Sequence, residues 1–294
     1  MIPVLRDAGL SALIDSETLQ SVANGLQFTE GPLWRPDGSL LFQDLKAERT
    51  YRVAPDGVVS VLREQTGAAN GQAYAPDGRI VFCEQNGRRV STMLPDGTDV
   101  RTLAEEWSGK RLNSPNDVVC HTDGSVYFTD PPYGVKPEDR SIPFQGVYRI
   151  GPDGQPVLLA DDFEKPNGLA FSPDEATLYV CDTGRYHVRS FALKPDGTLR
   201  EGSGAIFCTL DPGEAGGPDG MKVDRAGRVY VAVALGIWVY EADGTLIGIL
   251  GTPSRPSNLN WCGPDFRSLA ITMGDTVLKV RLKVEGVRPP FLPA

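Results

Sequence analysis

The chain has 294 residues, of which 40% are hydrophobic and 23% charged, a composition typical of a folded globular protein. Its formal net charge of −9 disfavours contact with phosphate backbones and so argues against a nucleic-acid-binding function. The 33 glycines and 24 prolines exclude a long-helix or coiled-coil protein and favour short strands joined by tight turns.

The cysteines and apolar runs of the sequence bear on where the protein works. Four of the five cysteines lie in apolar, strand-like runs, and no CxxC pair occurs among Cys83, Cys120, Cys181, Cys208 and Cys262. This usage indicates buried, reduced thiols. The first residues lack a basic segment followed by an apolar stretch, and no apolar run is long enough to span a membrane. We therefore expect a cytoplasmic protein without membrane contact.

Turn chemistry recurs along the chain. The tripeptide Pro-Asp-Gly occurs seven times, beginning at Pro36, Pro55, Pro76, Pro95, Pro152, Pro195 and Pro218. Proline presets φ, the aspartate side chain accepts a backbone hydrogen bond, and glycine tolerates positive φ. Most copies lie between alternating apolar runs, which predicts β-hairpins.

A subset of these turns defines a longer repeat. Aligned turns, each followed by an apolar strand, recur every 39 to 52 residues at Asp37, Asp77, Asp123, Asp174, Ala226 and Asp265. A second, weaker turn falls between them, so each repeat has two hairpins and four strands. Six repeats between about residues 24 and 284 predict an all-β fold. We expect residues 1–294 to form one domain, a six-bladed β-propeller with four-stranded antiparallel blades.

The last repeat is one strand short. It has about three strands after Asn258, and the early segment Leu19–Ala23 is predicted to supply its missing outer strand and close the ring. Residues 1–17 are then an N-terminal extension. Two separate β-sandwiches are the alternative all-β fold, although no linker interrupts the repeats near the midpoint.

One register of the repeat carries polar side chains. Seven residues before each aligned turn stands a carboxylate or carboxamide: Glu30, Asn70, Asn116, Asn167, Asp219 and Asn258. Asn and Asp favour turn starts, but that preference explains neither six matches in one register nor Glu30. Because this register begins the channel-lining strand, we predict a ring of six oxygen-bearing side chains at one mouth. Such a set suits a hard divalent cation, and two carboxylates balance its charge.

Two further features lie at the same rim. The second strand of four repeats ends in an acid, at Asp44, Glu84, Asp130 and Asp182. These acids are candidates for groups behind the ring, a second cation site or substrate contacts, with a solvated acidic rim as the alternative. The insertion Pro131–Gln145 carries Tyr133 and leaves the same rim. It either covers the mouth of the channel or is an ordinary surface loop.

Four motifs resemble a known family: Thr29–Trp34, Asn113–Asp117, Pro166–Asp174 and Pro218–Met221. Over about residues 24–284 the chain is similar to the gluconolactonase/regucalcin (senescence-marker-protein) family of six-bladed propellers. The microbial gluconolactonase branch fits better than the animal branch. Ser114 stands where animal members have an arginine, and Gly134 stands where they have a sugar-binding glutamate.

The resemblance implies hydrolysis of a sugar lactone, with Asp219 as acid/base. It also implies one divalent cation, held by Glu30, Asn116, Asn167 and Asp219. Ca²⁺ is the first expectation, with Mn²⁺, Mg²⁺, Zn²⁺ and Fe²⁺ as alternatives. Activation of a metal-bound water by Asp130 is the alternative mechanism. The predicted substrate contacts are Asn70, Asn116, Asp130, Tyr133 and Asn258.

Other functions stay open at this point. The same ring suits a phosphotriesterase-like hydrolase or a hydrolase of other lactones. A non-catalytic, ligand-binding propeller is a further alternative, although a scaffold does not require six converging oxygens. A serine triad is disfavoured because no G-x-S-x-G motif is present and the two histidines, His121 and His187, lack suitable surroundings.

Overall fold

A computed structural model describes residues 2–15, 18–210 and 216–289 of the chain. It confirms the predicted six-bladed β-propeller: six sheets, each with four antiparallel strands in blade order, form a ring. Among the described residues, helical structure consists of two short 3₁₀ turns, Leu10–Leu13 and Pro137–Asp139. Neither has the length and apolar content that crossing a membrane requires.

The first half of the chain forms two N-terminal strands, blades 1 to 3 and a small hairpin. The N-terminal strands are β1 (Val4–Asp7) and β2 (Gln20–Ala23). Blade 1 comprises β3 (Thr29–Trp34), β4 (Leu40–Asp44), β5 (Arg49–Val53) and β6 (Val59–Glu64). Blade 2 comprises β7 (Ala69–Tyr74), β8 (Ile80–Glu84), β9 (Arg89–Met93) and β10 (Arg101–Ala104). The hairpin of β11 (Glu106–Trp107) and β12 (Lys110–Arg111) precedes blade 3, which comprises β13 (Val118–Cys120), β14 (Val126–Asp130), β15 (Gln145–Ile150) and β16 (Pro156–Phe163).

The second half forms blades 4 to 6. Blade 4 comprises β17 (Pro166–Phe171), β18 (Thr177–Asp182), β19 (His187–Ala192) and β20 (Ala205–Thr209). Blade 5 comprises β21 (Met221–Val223), β22 (Val229–Val233), β23 (Gly236–Tyr240) and β24 (Leu246–Gly251). Blade 6 contains β25 (Asn258–Cys262), β26 (Ser268–Met273) and β27 (Thr276–Arg281). The first strand of each blade is its inner strand, and it contacts the inner strands of both neighbouring blades.

The N-terminal strands complete the ring. β2 pairs antiparallel with β27, with Gln20 opposite Lys279, and so becomes the outer strand of blade 6. This confirms the predicted closure by Leu19–Ala23, and the alternative of two sandwiches is wrong. β1 pairs with β24 and adds a fifth strand to blade 5. Residues 4–7 of the expected N-terminal extension therefore belong to a sheet, while residues 1, 16 and 17 lie outside the described residues.

The Pro-Asp-Gly repeats separate into two kinds. In six copies the glycine has φ between 73° and 86°, as a tight turn requires. The copy Pro218-Asp219-Gly220 differs, because Gly220 lacks positive φ and the Asp219 N–H donates to Ala232 of β22. Turn chemistry therefore explains the six hairpin aspartates and does not explain Asp219.

Apolar side chains fill the spaces between neighbouring blades. Between blades 5 and 6, the rings of Tyr230 and Trp261 meet edge to face with centroids 5.1 Å apart. The Trp261 indole N–H also donates to the Val223 carbonyl at 2.8 Å, which satisfies its buried polar atom. Burial of apolar surface contributes about 25 cal/mol per Å², so this packing supplies much of the stability that holds the blades together.

Glycines let the inner strands approach closely. In four blades the residue after the ring residue is glycine: Gly31, Gly71, Gly168 and Gly220. A Cβ atom at any of these positions would lie 2.0 to 2.3 Å from an atom of the next blade. Three of them donate directly across the seam: Gly71 N–H to Asn116 O, Gly168 N–H to Asp219 O, and Gly220 N–H to Ser257 O, at 2.8 to 3.0 Å. Glycine is therefore a packing requirement at these four positions.

This requirement can be tested with two matched glycines. Gly31 and Gly274 have nearly the same φ, 46° and 45°, but a Cβ would meet Asn70 O at 2.2 Å in the first case and nothing within 4 Å in the second. Gly274→Ala should cost about 1 kcal/mol of unfolding free energy for its positive φ. Gly31→Ala should cost a further 1–3 kcal/mol or so because of the clash. Urea unfolding measures both, and equal losses would contradict the packing argument.

Candidate active site

The predicted ring residues stand at the starts of the six inner strands. Four lie inside strands β3, β7, β17 and β25, and two lie just before β13 and β21. Five of the residues are 4 to 7% exposed: Glu30, Asn70, Asn116, Asn167 and Asn258. The Asp219 side chain is 15% exposed and so is the most accessible of the six.

Glu30 occupies a buried position among other acids. Its Oε2 accepts hydrogen bonds from the Gly31 N–H at 3.0 Å and from Asn258 Nδ2 at 3.1 Å. Burial raises the pKa of Glu30 well above its ordinary value, and the negative charges of Asp219 and Asp117 raise it further. The fold therefore brings Glu30 and Asp219 near enough to repel each other.

Asp219 faces Glu30 from the blade 5 side. Burial raises the pKa of Asp219 to about 7, while the Arg255 guanidinium and a hydrogen bond from Asn167 oppose that shift. Arg255 Nη2 lies 3.6 Å from Asp219 Oδ2. The Asn167 amide also donates to Thr183 Oγ1 at 3.2 Å, which fixes its orientation.

The donor chemistry of the ring fits a hard divalent cation. Within the described residues, no protein donor reaches Glu30 Oε1, Asn116 Oδ1 or Asn167 Oδ1, so each is available as a ligand. The same part of the chain has no cluster of three or more His, Cys, Asp or Glu side chains with metal-site geometry. The ring is instead a mixture of two carboxylates and four carboxamides. A cation would relieve the repulsion between Glu30 and Asp219.

Asn258 is already engaged within the protein. Its Nδ2 donates to Glu30, and its Oδ1 accepts the Leu259 N–H at 2.9 Å. This geometry gives Asn258 a role in holding the Glu30 carboxylate and does not favour the predicted substrate contact. The Asn70 side chain, by contrast, has no hydrogen bond to any described residue, so it is available to a ligand.

The insertion in blade 3 reaches the ring. Tyr133 Oη lies 3.5 Å from Asn167 Nδ2, and Tyr133 also interacts electrostatically with Asp219. The insertion is anchored at its far end, where Asn113 Nδ2 donates to Phe144 O at 2.8 Å and Trp107 packs edge to face on the Phe144 ring. The position of Tyr133 favours a cover at the mouth over an ordinary surface loop.

The acids that end the second strands are buried, so the alternative of a solvated rim is wrong. Asp44, Glu84, Asp130 and Asp182 are each at most 1% exposed. Three of them accept backbone N–H groups from the segment that enters the inner strand of their own blade. Glu84 instead accepts Ser91 Oγ–H at 2.6 Å and Arg89 Nε–H at 2.9 Å.

Asp130 shows what these acids do. Its two oxygens accept the N–H groups of Asn113 and Ser114 at 2.8 and 2.6 Å. These residues begin the segment that carries Asn116. The geometry therefore gives Asp130 a positioning role and does not favour the predicted substrate contact or the alternative role of catalytic base.

Sequence reasoning missed two charged residues near the ring. Asp117 follows a ring residue where four other blades have glycine, and that departure was the available signal. Burial raises the pKa of Asp117, and the Lys222 ammonium opposes the shift. Arg255 lies in the loop between β24 and β25, outside every repeated register, so the repeat gave no signal for it.

The far end of the channel differs from the ring. A cavity of ≈150 Å³ opens there, lined by residues from all six blades, among them Val118, Phe171, Trp261 and Lys222. Its walls are mainly apolar, whereas the ring end presents oxygen atoms. His121 lies at this far end, where its Nε2 is 3.4 Å from Glu175, a cavity-lining residue.

Comparisons with known proteins show which family this chain resembles. A family model described as the SMP-30/gluconolactonase/LRE-like region matches residues 28–275. The gluconolactonase of Zymomonas mobilis is 33% identical over 94% of this chain and 85% of its own length. The pentonolactonase XacC of Haloferax volcanii is 28% identical over 83% of this chain and 80% of its own.

Solved structures extend the comparison. A gluconolactonase from Xanthomonas campestris superposes with a TM-score of 0.87 at 35% identity and covers 96% of this chain and 95% of its own. A calcium-binding regucalcin from Agrobacterium tumefaciens, 19% identical with a TM-score of 0.79, covers 94% and 98% and shares the fold.

The fold and the relatives together define a β-propeller enzyme that hydrolyses lactones, a carboxylic ester hydrolase with a small-molecule substrate. The chain belongs to the SMP-30/gluconolactonase/LRE-like family. The resemblance drawn from four sequence motifs is thereby confirmed.

The buried carboxyl of Asp130 is expected to make the unfolding free energy depend on pH. Burial raises its pKa to about 7, and the two backbone donors oppose the shift. Between about pH 4 and pH 7 the native state therefore binds a proton that the unfolded chain has lost, and this group lowers the unfolding free energy as pH rises.

Asp130→Asn removes that dependence. Relative to wild type, the variant should gain stability as pH rises from 4 to 7, by up to about 1.4 kcal/mol per pH unit. Urea unfolding of both proteins at each pH measures the difference. A difference that stays constant across this range would contradict the shifted pKa of Asp130.

Proposed function

We propose that the enzyme opens a sugar lactone of the aldonolactone type at the ring, with one divalent cation held by Glu30, Asn116, Asn167 and Asp219. The observation that carries this proposal is the pair of buried, mutually repelling carboxylates, Glu30 and Asp219, beside unused amide oxygens. The sugar-lactone relatives from Zymomonas and Haloferax support the substrate class. Calcium is our first choice because every donor is a hard oxygen, with Mn²⁺, Mg²⁺, Zn²⁺ and Fe²⁺ as alternatives.

Asp219 is our proposed acid/base. It accepts a proton from the water whose oxygen bonds to the lactone carbonyl carbon. The C–O bond inside the lactone then breaks, and the proton returns from Asp219 to the departing oxygen, which leaves as a hydroxyl group. A bound cation supplies electrostatic stabilisation for charge on the carbonyl oxygen. Arg255 favours the ionised form of Asp219, which is the form able to accept the proton.

Two side chains are proposed to orient the sugar. Asn70 has no protein hydrogen bond within the described residues, and Tyr133 places its hydroxyl beside Asn167 at the covered mouth. A sugar lactone carries several hydroxyl groups, each of which needs a partner when it leaves water. We propose that Asn70 and Tyr133 supply such partners, together with Asn116 when it is not fully engaged by the cation.

We further propose that the enzyme works in the cytoplasm. All five cysteines are unpaired, and four of them are buried. Burial raises the pKa of Cys181 well above its ordinary value and so keeps the thiol protonated and unreactive. Buried thiols of this kind are typical of proteins in a reducing compartment, which supports this location.

Two substitutions test the proposed chemistry. Asp219→Asn should lower kcat for aldonolactone hydrolysis by about 10²- to 10⁴-fold because the amide cannot accept a proton. Glu30→Gln should reduce activity through weaker cation binding, with partial recovery at high cation concentration. Asp56→Asn is the matched control and should retain activity, because Asp56 lies at an exposed hairpin turn and accepts, among the described residues, one local backbone N–H. Full activity in both ring variants would overturn the metal-centred mechanism.

Removal of the cation gives an independent test. Dialysis against a chelator should abolish activity on aldonolactones and lower the melting temperature, since a ligand that binds only the folded state stabilises it. Re-addition of Ca²⁺, Mn²⁺, Mg²⁺, Zn²⁺ or Fe²⁺ one at a time identifies the cations that restore both properties. Phosphotriesters assayed in parallel examine the alternative hydrolase. Activity and melting temperature that do not respond to any of these ions would contradict the proposed cation site.

A further inference from the structure

The positively charged side chain of Arg255 lies at the mouth of the ring, beside Asp219. It belongs to the loop between β24 and β25, and its side chain is 44% exposed. Its Nη2 lies 3.6 Å from Asp219 Oδ2 and donates to the Gly217 carbonyl at 3.3 Å. The guanidinium therefore stands next to the proposed acid/base and is still open to solvent.

The backbone beside Arg255 is shaped to receive the guanidinium. Gly216 has φ of 132°, and a Cβ atom there would lie 2.9 Å from Cζ, Nε and Nη1 of Arg255. Any side chain at position 216 would displace the guanidinium from this place. The close approach and the Gly217 hydrogen bond together fix its position at the mouth.

Among the residues that the structure describes, few groups accept hydrogen bonds from Arg255. A guanidinium has five N–H donors. Within residues 2–15, 18–210 and 216–289, the Gly217 carbonyl accepts one hydrogen bond, and the Asp219 contact is an ion pair longer than a hydrogen bond. Tyr133 interacts electrostatically with both Arg255 and Asp219, so the three side chains surround one part of the mouth.

Lactone opening creates one group that this arrangement suits. The water oxygen bonds to the carbonyl carbon, and the C–O bond inside the lactone breaks. The product is a hydroxy acid with a carboxylate that the substrate lacks. The new carboxylate oxygen arises from the water that Asp219 deprotonates, so it forms beside Asp219. A planar guanidinium binds carboxylates through paired, charge-assisted hydrogen bonds.

We infer that Arg255 is a catalytic residue that donates hydrogen bonds to the oxygens of the carbonyl carbon as they gain negative charge, and then holds the product carboxylate. This inference rests on lactone hydrolysis at the ring. The alternative is that Arg255 only orients Asp219.

Product binding separates these two roles. Calorimetric titration with D-gluconate should give a dissociation constant about 10- to 100-fold higher for Arg255→Ala than for wild type, since a lost charge-assisted hydrogen bond has about that effect. Arg255→Lys should lie between them. D-Sorbitol, which has the hydroxyl groups without a carboxylate, should bind both proteins equally weakly. Arg101→Ala, at an exposed arginine on the outer strand of blade 2, is the control and should match wild type.

Kinetics complete the test. Arg255→Ala should lower kcat for aldonolactone hydrolysis about 10- to 100-fold and weaken inhibition by gluconate. An Arg255→Ala protein that binds gluconate as tightly as wild type, or a wild-type protein that does not bind it, overturns the inference. The proposed acid/base fails separately, through full activity of Asp219→Asn, so the two failures are distinguishable.

Discussion

Direct backbone contact between neighbouring inner strands is the constraint on which the site depends. Where glycine follows the ring residue, the strands come close enough for Gly71 and Gly168 to donate across the seam. This contact fixes the width of the ring, so the polar side chains at its mouth cannot spread apart. Glu30 and Asp219 are consequently held together in a buried place despite their mutual repulsion. Packing between the blades, as between Tyr230 and Trp261, provides the free energy that offsets this repulsion.

The ring is also supported from behind. Asp44, Asp130 and Asp182 each use a buried carboxylate to hold the backbone that leads into an inner strand of the same blade. Each of these acids therefore acts on the ring through the main chain. Asn258 does the same through a side chain, by donating to Glu30. A site built in this manner is preorganised, since hydrogen bonds from within the protein hold its ring residues in place.

The repeat made the fold and the ring predictable because turns at a fixed register measure position along each strand. It could not reveal the partners of a side chain, which depend on three-dimensional neighbours. Asp130 shares a rim with the ring yet turns both oxygens to Asn113 and Ser114. Asn258 shares the ring register, yet its side chain donates to Glu30 and accepts the Leu259 N–H. Arg255 stands three residues before its ring residue, a position that holds no arginine in the other five repeats, so periodicity carried no information about it.

The closure of blade 6 by β2 has a consequence for how the chain matures. Gln20 must find Lys279 across roughly 260 intervening residues, a contact order that slows folding. During translation β2 leaves the ribosome long before β27 and lacks its partner until the last blade has been made. Throughout that interval β2 is a strand without a neighbour, the kind of edge that recruits other chains. Successful production of this enzyme therefore depends on keeping β2 from mispairing until β27 has been made.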